Sequence, residues 1–231
     1  MASVLLAVSS PHIDPRAIAL LERMSGTLSR AVSIVVTAHI EREHIDANGQ
    51  ILNSYVTTMA AMRRPNMLYT ATVGDGRPYA TWYDGSLLTV YIPARKTFDQ
   101  LFYAGDDDVV LRKISRLRMG YSPMTPFLNS DPYASLRHEI RGARVIADVY
   151  AGDVLCRQIA FTGPHMDWQI WITLDDEPLP ARMAVVFKRR PGNPRLVVEF
   201  QRWDLDLLLD QSTFYFKRPP HARRASFARW N

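Results

Sequence analysis

Cysteine is nearly missing from this sequence: Cys156 stands alone among 231 residues. One thiol excludes an intramolecular disulfide framework and any zinc or iron–sulfur site built from several cysteines. No apolar run reaches the roughly 18 to 20 residues that a membrane-crossing helix requires. There is no Gly-x-Ser-x-Gly nucleophile elbow and no glycine-rich loop ahead of a helix; Gly74-Asp75-Gly76 joins two strands and reads as a turn. Internal repeats and low-complexity tracts are absent as well. Charge is modest: 28 Lys+Arg against 23 Asp+Glu leave +5, too small an excess to name a partner alone. What is present in quantity is hydrophobic residues, 47% of the chain, enough for one sizeable core. Residues 1–13 read as a residual signal-like or disordered tail. Met1–Ser10 is apolar and ends in small residues like the end of a signal peptide's hydrophobic region, but lacks a basic leader, so the signal is incomplete. Residues 14–220 read as one domain and 221–231 as a basic tail.

Asp14-Pro15 supplies a cap and a first helical position, and Ile18, Leu21, Met24 and Leu28 recur at helical spacing up to about Ala31. From Val32 the period becomes two, with Ile34, Val36, Ala38 and Ile40 on one side and Thr37, His39, Glu41 and Glu43 on the other. Asn48-Gly49 then marks a hairpin. Further strands are expected at Ile51–Met62, Met67–Val73, Tyr79–Tyr83, Leu87–Ile92 and Lys96–Tyr103. Asp106–Asp108 caps an amphipathic helix carrying Val110, Leu111, Ile114 and Leu117; a proline-interrupted stretch and a short helix from Asp131-Pro132 follow. Strands resume at Ala143–Tyr150, Val154–Thr162, Trp168–Leu174, Arg182–Arg189 and Leu196–Trp203, with a last short one at Phe214–Phe216. The pattern predicts a mainly β (α+β) chain of roughly ten or eleven antiparallel strands and about three helices.

Chemistry-bearing clusters are sparse. His39, Glu41 and Glu43 share a strand face, a set able to bind a divalent cation or move protons, but also an ordinary solvated face. His165 and Asp167 lie close in sequence beside Trp168, with no nucleophile to serve. Cys156 falls mid-strand, where a free cysteine is usually a small buried hydrophobe. No catalytic residue, no metal and no cofactor is expected.

Eight segments in order, Asp14–Met24, Met62–Leu68, Trp82–Tyr91, Asp131–Leu136, Gly152–Phe161, Asp167–Ile172, Leu179–Met183 and Phe214–Pro220, make the chain resemble a family of predicted periplasmic bacterial proteins of unknown function. That family shares a superfamily with the outer-membrane lipoprotein carrier and receptor proteins. The resemblance implies a LolA/LolB-like fold, a curved, half-open antiparallel β-barrel with helices covering its concave face around a hydrophobic cavity, and a periplasmic location. From the residues alone, the aromatic and apolar side chains fill a core or line a pocket. With that fold, the candidates for the cavity or its lid are Leu21, Met24, Leu28, Val36, Met59, Trp82, Tyr91, Phe98, Phe102, Leu111, Ile114, Trp168, Phe187 and Phe200. The implied function is a non-enzymatic periplasmic binding protein for a lipid acyl chain or lipoprotein segment. The alternative is an envelope sensor or protein-interaction module of the same fold. Basic residues at Arg112–Arg118, Lys188–Arg190 and Lys217–Arg229 suit an anionic membrane surface; no nucleic-acid-binding motif is present, so no nucleic acid is expected as a partner.

Overall fold

The computed structural model describes residues 12–76, 78–116 and 122–226. The signal-like stretch up to Pro11, Leu117, Arg118, Met119 and the tail beyond Ser226 lie outside the described residues.

Helix α1 spans Pro15–Arg30, and the Asp14 carboxylate accepts from the Arg16 backbone N–H at 2.9 Å, so cap and first-position proline act as the spacing predicts. Its buried face is Leu20, Leu21, Met24 and Leu28. Helix α2 spans Asp107–Arg116, with Asp106 capping Val109 N–H at 2.9 Å. The proline-interrupted stretch contains a one-turn helix α3, Thr125–Leu128, and α4 is Pro132–Arg137, capped by Asp131 on Ala134 N–H at 2.8 Å.

The strands are β1 Ser33–Ile45, β2 Ile51–Arg63, β3 Met67–Gly74, β4 Tyr79–Tyr83, β5 Leu87–Ile92, β6 Thr97–Phe102, β7 Gly142–Ala151, β8 Val154–Thr162, β9 Met166–Thr173, β10 Pro180–Phe187, β11 Arg195–Leu205 and β12 Arg223–Arg224. They form one sheet in the order β12-β6-β5-β4-β3-β2-β1-β11-β10-β9-β8-β7. Two antiparallel meanders are thus joined where β1 meets β11, with Val36 opposite Trp203 and Ala38 opposite Phe200. The sheet does not close, because β7 and β12 stand at opposite ends of that order. It is a curved half-barrel of twelve strands. Among the described residues no helix is long and apolar enough to cross a membrane.

One expectation needs correcting. Phe214–Phe216 is not a strand: Gln211–Phe214 forms a 3-10 turn, because the Asp210 carboxylate accepts from Ser212 N–H at 2.7 Å and winds the chain locally. The last strand is β12, which runs parallel to β6 with Arg223 opposite Thr97.

The main core lies on one face of the sheet. Ile34, Val36, Ala38 and Ile40 of β1 share it with Val198 and Phe200 of β11, Met183 and Val185 of β10, Ile170 and Trp168 of β9, and Ile159 and Phe161 of β8. Helix α1 packs against β7, β9, α3 and α4, so this concave side is dry beneath the helices. The seam is tied by Arg64, whose guanidinium donates to the carbonyls of Ala31 at 3.2 Å and Asn129 at 3.1 Å, at the C-terminal ends of α1 and α3. A cation suits those helix ends.

Candidate functional site

Strand register decides which candidate residues share a face. Ile34 pairs with Met62, Met62 with Leu68, Leu68 with Tyr83 and Tyr83 with Leu88, with no bulge on the way. These five residues therefore belong to the concave face. By the same register Met67, Tyr69, Trp82, Tyr91, Phe98 and Phe102 belong to the other, outer face.

Nine of the fourteen candidates gather in the concave core: Leu21, Met24, Leu28, Val36, Leu111, Ile114, Trp168, Phe187 and Phe200. Leu21, Met24, Leu28 and Val36 are entirely buried, packed against one another and the sheet. Trp168 stacks on its cross-strand partner Phe161 with ring centroids 4.0 Å apart. Met59 lies exposed on the outer face of β2. Trp82, Tyr91 and Phe98 also lie outside, where they surround Phe216 at centroid distances of 5.1, 6.0 and 5.0 Å. Phe102, 83% exposed, sits on that face near the end of β6. The segment after β11 thus straps the outer side. Arg63 donates to Leu209 O at 3.1 Å and lies over the buried Phe214 ring, Phe216 fills the aromatic cluster, and Arg218 lies over Phe98. The sequence held a signal for this, the run Phe214-Tyr215-Phe216, but read it as a strand.

On the concave side the β2–β5 region differs from the rest. Its floor holds Val56, Thr58, Thr70, Thr72 and Tyr79, all half-buried, beside Thr81 and Val90, which are buried, and the Thr58 and Thr72 hydroxyls are hydrogen-bonded at 3.0 Å. Helix α2 covers only the near end, where Val110 and Leu111 join Leu68, Tyr83 and Leu88 in the core.

Asp107, at the start of α2, is 2% exposed, and neither of its carboxylate oxygens has a hydrogen-bond partner among the described residues. Burial pushes its carboxyl up to about 7 against the pull of the Arg64 guanidinium, with Asp108 and Asp106 adding to the rise. Tyr83 closes the same junction, its hydroxyl donating to Gly105 O at 2.8 Å and accepting from Gly105 N–H at 3.1 Å.

The polar clusters resolve into ordinary pairs. His39, Glu41 and Glu43 do share the outer face of β1, but Glu41 accepts from the Tyr55 hydroxyl at 3.2 Å and Glu43 from the Arg195 backbone N–H at 2.8 Å. His39, Glu41 and Tyr55 border an outer-face cleft of about 390 Å³, walled also by Thr57, Val73, Val197 and Glu199. Among the described residues no three His, Cys, Asp or Glu side chains come together as a metal ion needs. His165 turns to Glu139 at 3.1 Å, while Asp167 takes the Lys188 ammonium at 3.0 Å, so the two are not a catalytic couple. Cys156 is buried in β8, and burial pushes its thiol above the ordinary range.

Comparison with known proteins gives one family and several distant structures. The family model described as predicted periplasmic protein (DUF2092) matches residues 17–228. No curated protein matches the chain. Among solved structures it is similar to LprF from Mycobacterium bovis, 10% identical over 93% of this chain and 100% of that one, with a TM-score of 0.49. It is similar also to the Mycobacterium tuberculosis lipoprotein LppX, 14% identical over 85% of this chain and 100% of that one, at 0.48. A third is a putative outer membrane lipoprotein-sorting protein domain from Vibrio parahaemolyticus, 8% identical over 87% of this chain and 96% of that one, at 0.36.

Proposed function

The chain belongs to the DUF2092 family of predicted periplasmic proteins, and from that premise we propose that it is a non-enzymatic binding protein holding a hydrophobic ligand, a lipid acyl chain or lipoprotein segment, on the concave side of β2–β5. The observation that carries this reading is the half-buried floor of Val56, Thr58, Thr70, Thr72 and Tyr79, continuous with a dry core yet without α1 above it. Over most of β8–β11 the same face is packed beneath the helices, with Ile159, Trp168, Ile170, Met183 and Val198 buried. An acyl chain gains about 0.8 kcal/mol per buried CH2, so about ten methylenes give the roughly −8 kcal/mol of a micromolar complex. Valine and threonine methyls offer an apolar wall, and the hydroxyls suit the polar end of such a ligand.

Basic side chains at the far end of the sheet favour an anionic lipid surface as the docking partner. Arg95 and Lys96 precede β6, Arg223 and Arg224 lie beside it, and Arg189 and Arg195 flank the β10–β11 turn. Each such residue near a membrane is worth about 1 kcal/mol at low salt.

The test is native mass spectrometry of the purified protein together with titration of a fluorescent fatty acid. Bound lipid and saturable fatty-acid binding are expected, and Thr72→Trp, which fills the floor, is expected to weaken binding at least tenfold while the protein stays folded. Neither co-purified lipid nor fatty-acid binding would sink the reading.

A further inference from the structure

Strand β7 ends the sheet, and its outer side is only partly covered. The N-terminal segment bridges it at one point: Ala143 N–H donates to His12 O at 2.9 Å, and Asp14 N–H donates to Ala143 O at 2.9 Å. Beyond that point, from Ile146 to Ala151, no strand among the described residues pairs with this edge. A free strand edge offers a row of N–H and C=O groups to an incoming chain.

Two further features meet the edge there. Tyr150, Leu155 and Leu174 form a row across β7, β8 and the end of β9, for Tyr150 is opposite Leu155 and Leu174 N–H donates to Leu155 O at 3.3 Å. By register the row continues the face that buries Ile159, Phe161, Ile170 and Ile172, but here the side chains are 70%, 42% and 38% exposed. The adjoining turns carry Asp153, Asp175, Asp176 and Glu177, all exposed, none in an ion pair among the described residues. In a chain of net charge +5 this end is locally anionic.

We propose that the Ile146–Ala151 edge of β7 is the docking site for an extended, basic, amphipathic segment of a partner protein, which adds to the sheet as a further strand. Main-chain groups of the segment pair with the edge. Its apolar side chains, falling on every second residue, lie along Tyr150 and Leu155. Its lysines or arginines meet the acidic turns, and that attraction excludes acidic segments and fades with salt. The site is remote from the β2–β5 floor and stands whether or not a lipid binds there.

The experiment uses the full chain and ten-residue peptides, one alternating lysine with valine, one alternating glutamate with valine. Fluorescence anisotropy is expected to show saturable binding of the lysine peptide, at least tenfold tighter than the glutamate peptide. Hydrogen exchange is expected to show new protection at 146–151. Tyr150→Lys and the loop variant Asp175→Lys/Asp176→Lys are each expected to weaken the lysine peptide at least tenfold and to leave fatty-acid binding unchanged. The loop variant alters only exposed positions outside the strands, so it stays informative should Tyr150→Lys fail to fold. No binding, equal binding of the two peptides, protection elsewhere in the sheet, or full binding by the loop variant would each overturn the proposal.

Discussion

The two meanders of this sheet use the same strand pattern but are covered differently. In β7–β11 the apolar side chains point into the concave face, where the helices α1, α3 and α4 meet Ile159, Trp168, Ile170, Met183 and Val198. In β3–β6 the large aromatics Tyr69, Trp82, Tyr91 and Phe98 point outward, the last three against Phe216, while Thr70 and Thr72 face inward. One half is covered on its inner face by α1, α3 and α4, while the other is strapped on its outer face and covered inside by α2 at its near end, which leaves the half-buried stretch of Val56, Thr58, Thr70, Thr72 and Tyr79 on its inner face. The sharpest way to break this contrast is a matched pair of tryptophan truncations. Trp168→Ala removes a ring stacked in the sealed core and is expected to cost about 3–5 kcal/mol. Trp82→Ala, at a half-buried outer position, is expected to cost about half as much. Urea unfolding of both variants checks this, and equal losses would mean that the two halves are packed alike.

Next in size is the strap itself. Phe216 touches three aromatic rings of the outer face, in a segment held also by Arg63 on Leu209 O, the buried Phe214 and the two-residue strand β12. Phe216→Ala is expected to lower stability by about 2 kcal/mol and to make the residues after Leu205 the first site of proteolytic cleavage. If cleavage instead begins in the β7–β8 hairpin, the strap is not what seals the outer side.

This division was only half legible in the sequence. Every strand of the meander from β1 to β6 followed from period two, turn residues and Asn48-Gly49, and the caps at Asp14 and Asp131 placed their helices to within a residue. Period two shows that a strand has two different sides but not which one the sheet curves around. For β1, where one side is wholly apolar, the assignment is easy. For β4 and β5 both sides carry bulky residues, Tyr83 and Leu88 inward, Trp82 and Tyr91 outward, and only the register through β2 and β3 decides. The strap was misread for another reason: Phe214-Tyr215-Phe216 looks locally like a strand, and its aromatic partners lie more than a hundred positions earlier, where local patterning does not point. Nor did any motif single out Thr58 and Thr72, ordinary strand residues whose place together on the half-buried floor only the register reveals.

Where α2 joins the sheet, Asp107 gives a pH test. Its carboxyl is pushed up to about 7 from an ordinary 3.8, so folding takes up a proton between those values. The protonated form's contribution to stability is complete below about pH 4, declines as the pH rises, and is lost above about pH 7, where the buried carboxylate is charged. Asp107→Asn, which keeps the shape and removes the charge, is expected to flatten this slope and raise stability at pH 8 by about 1–2 kcal/mol. Arg64, Asp106, Asp108 and Tyr83 are the groups that share the junction. Urea midpoints of the two proteins at pH 5 and pH 8 measure the effect; parallel curves would show that Asp107 is solvated rather than sealed where α2 joins the sheet.

The smallest expected effect discriminates most finely between a floor that is part of the core and one that serves a ligand. Thr58→Val with Thr72→Val deletes a cross-strand pair of hydroxyls 3.0 Å apart and keeps shape and strand propensity. Since replacing both partners of a hydrogen bond by apolar groups of equal shape is nearly neutral, the double variant is expected to change stability by less than about 1 kcal/mol. The converse change in the sealed half, Ile170→Thr, buries a hydroxyl among apolar side chains and is expected to cost more than the double variant by about 2 kcal/mol. Should the valine pair destabilise as much as Ile170→Thr, the threonines are holding the fold together and the floor is core. If stability is unchanged while fatty-acid affinity shifts, those hydroxyls matter for what sits against them, and the half of the sheet that α1 leaves bare is the half that binds.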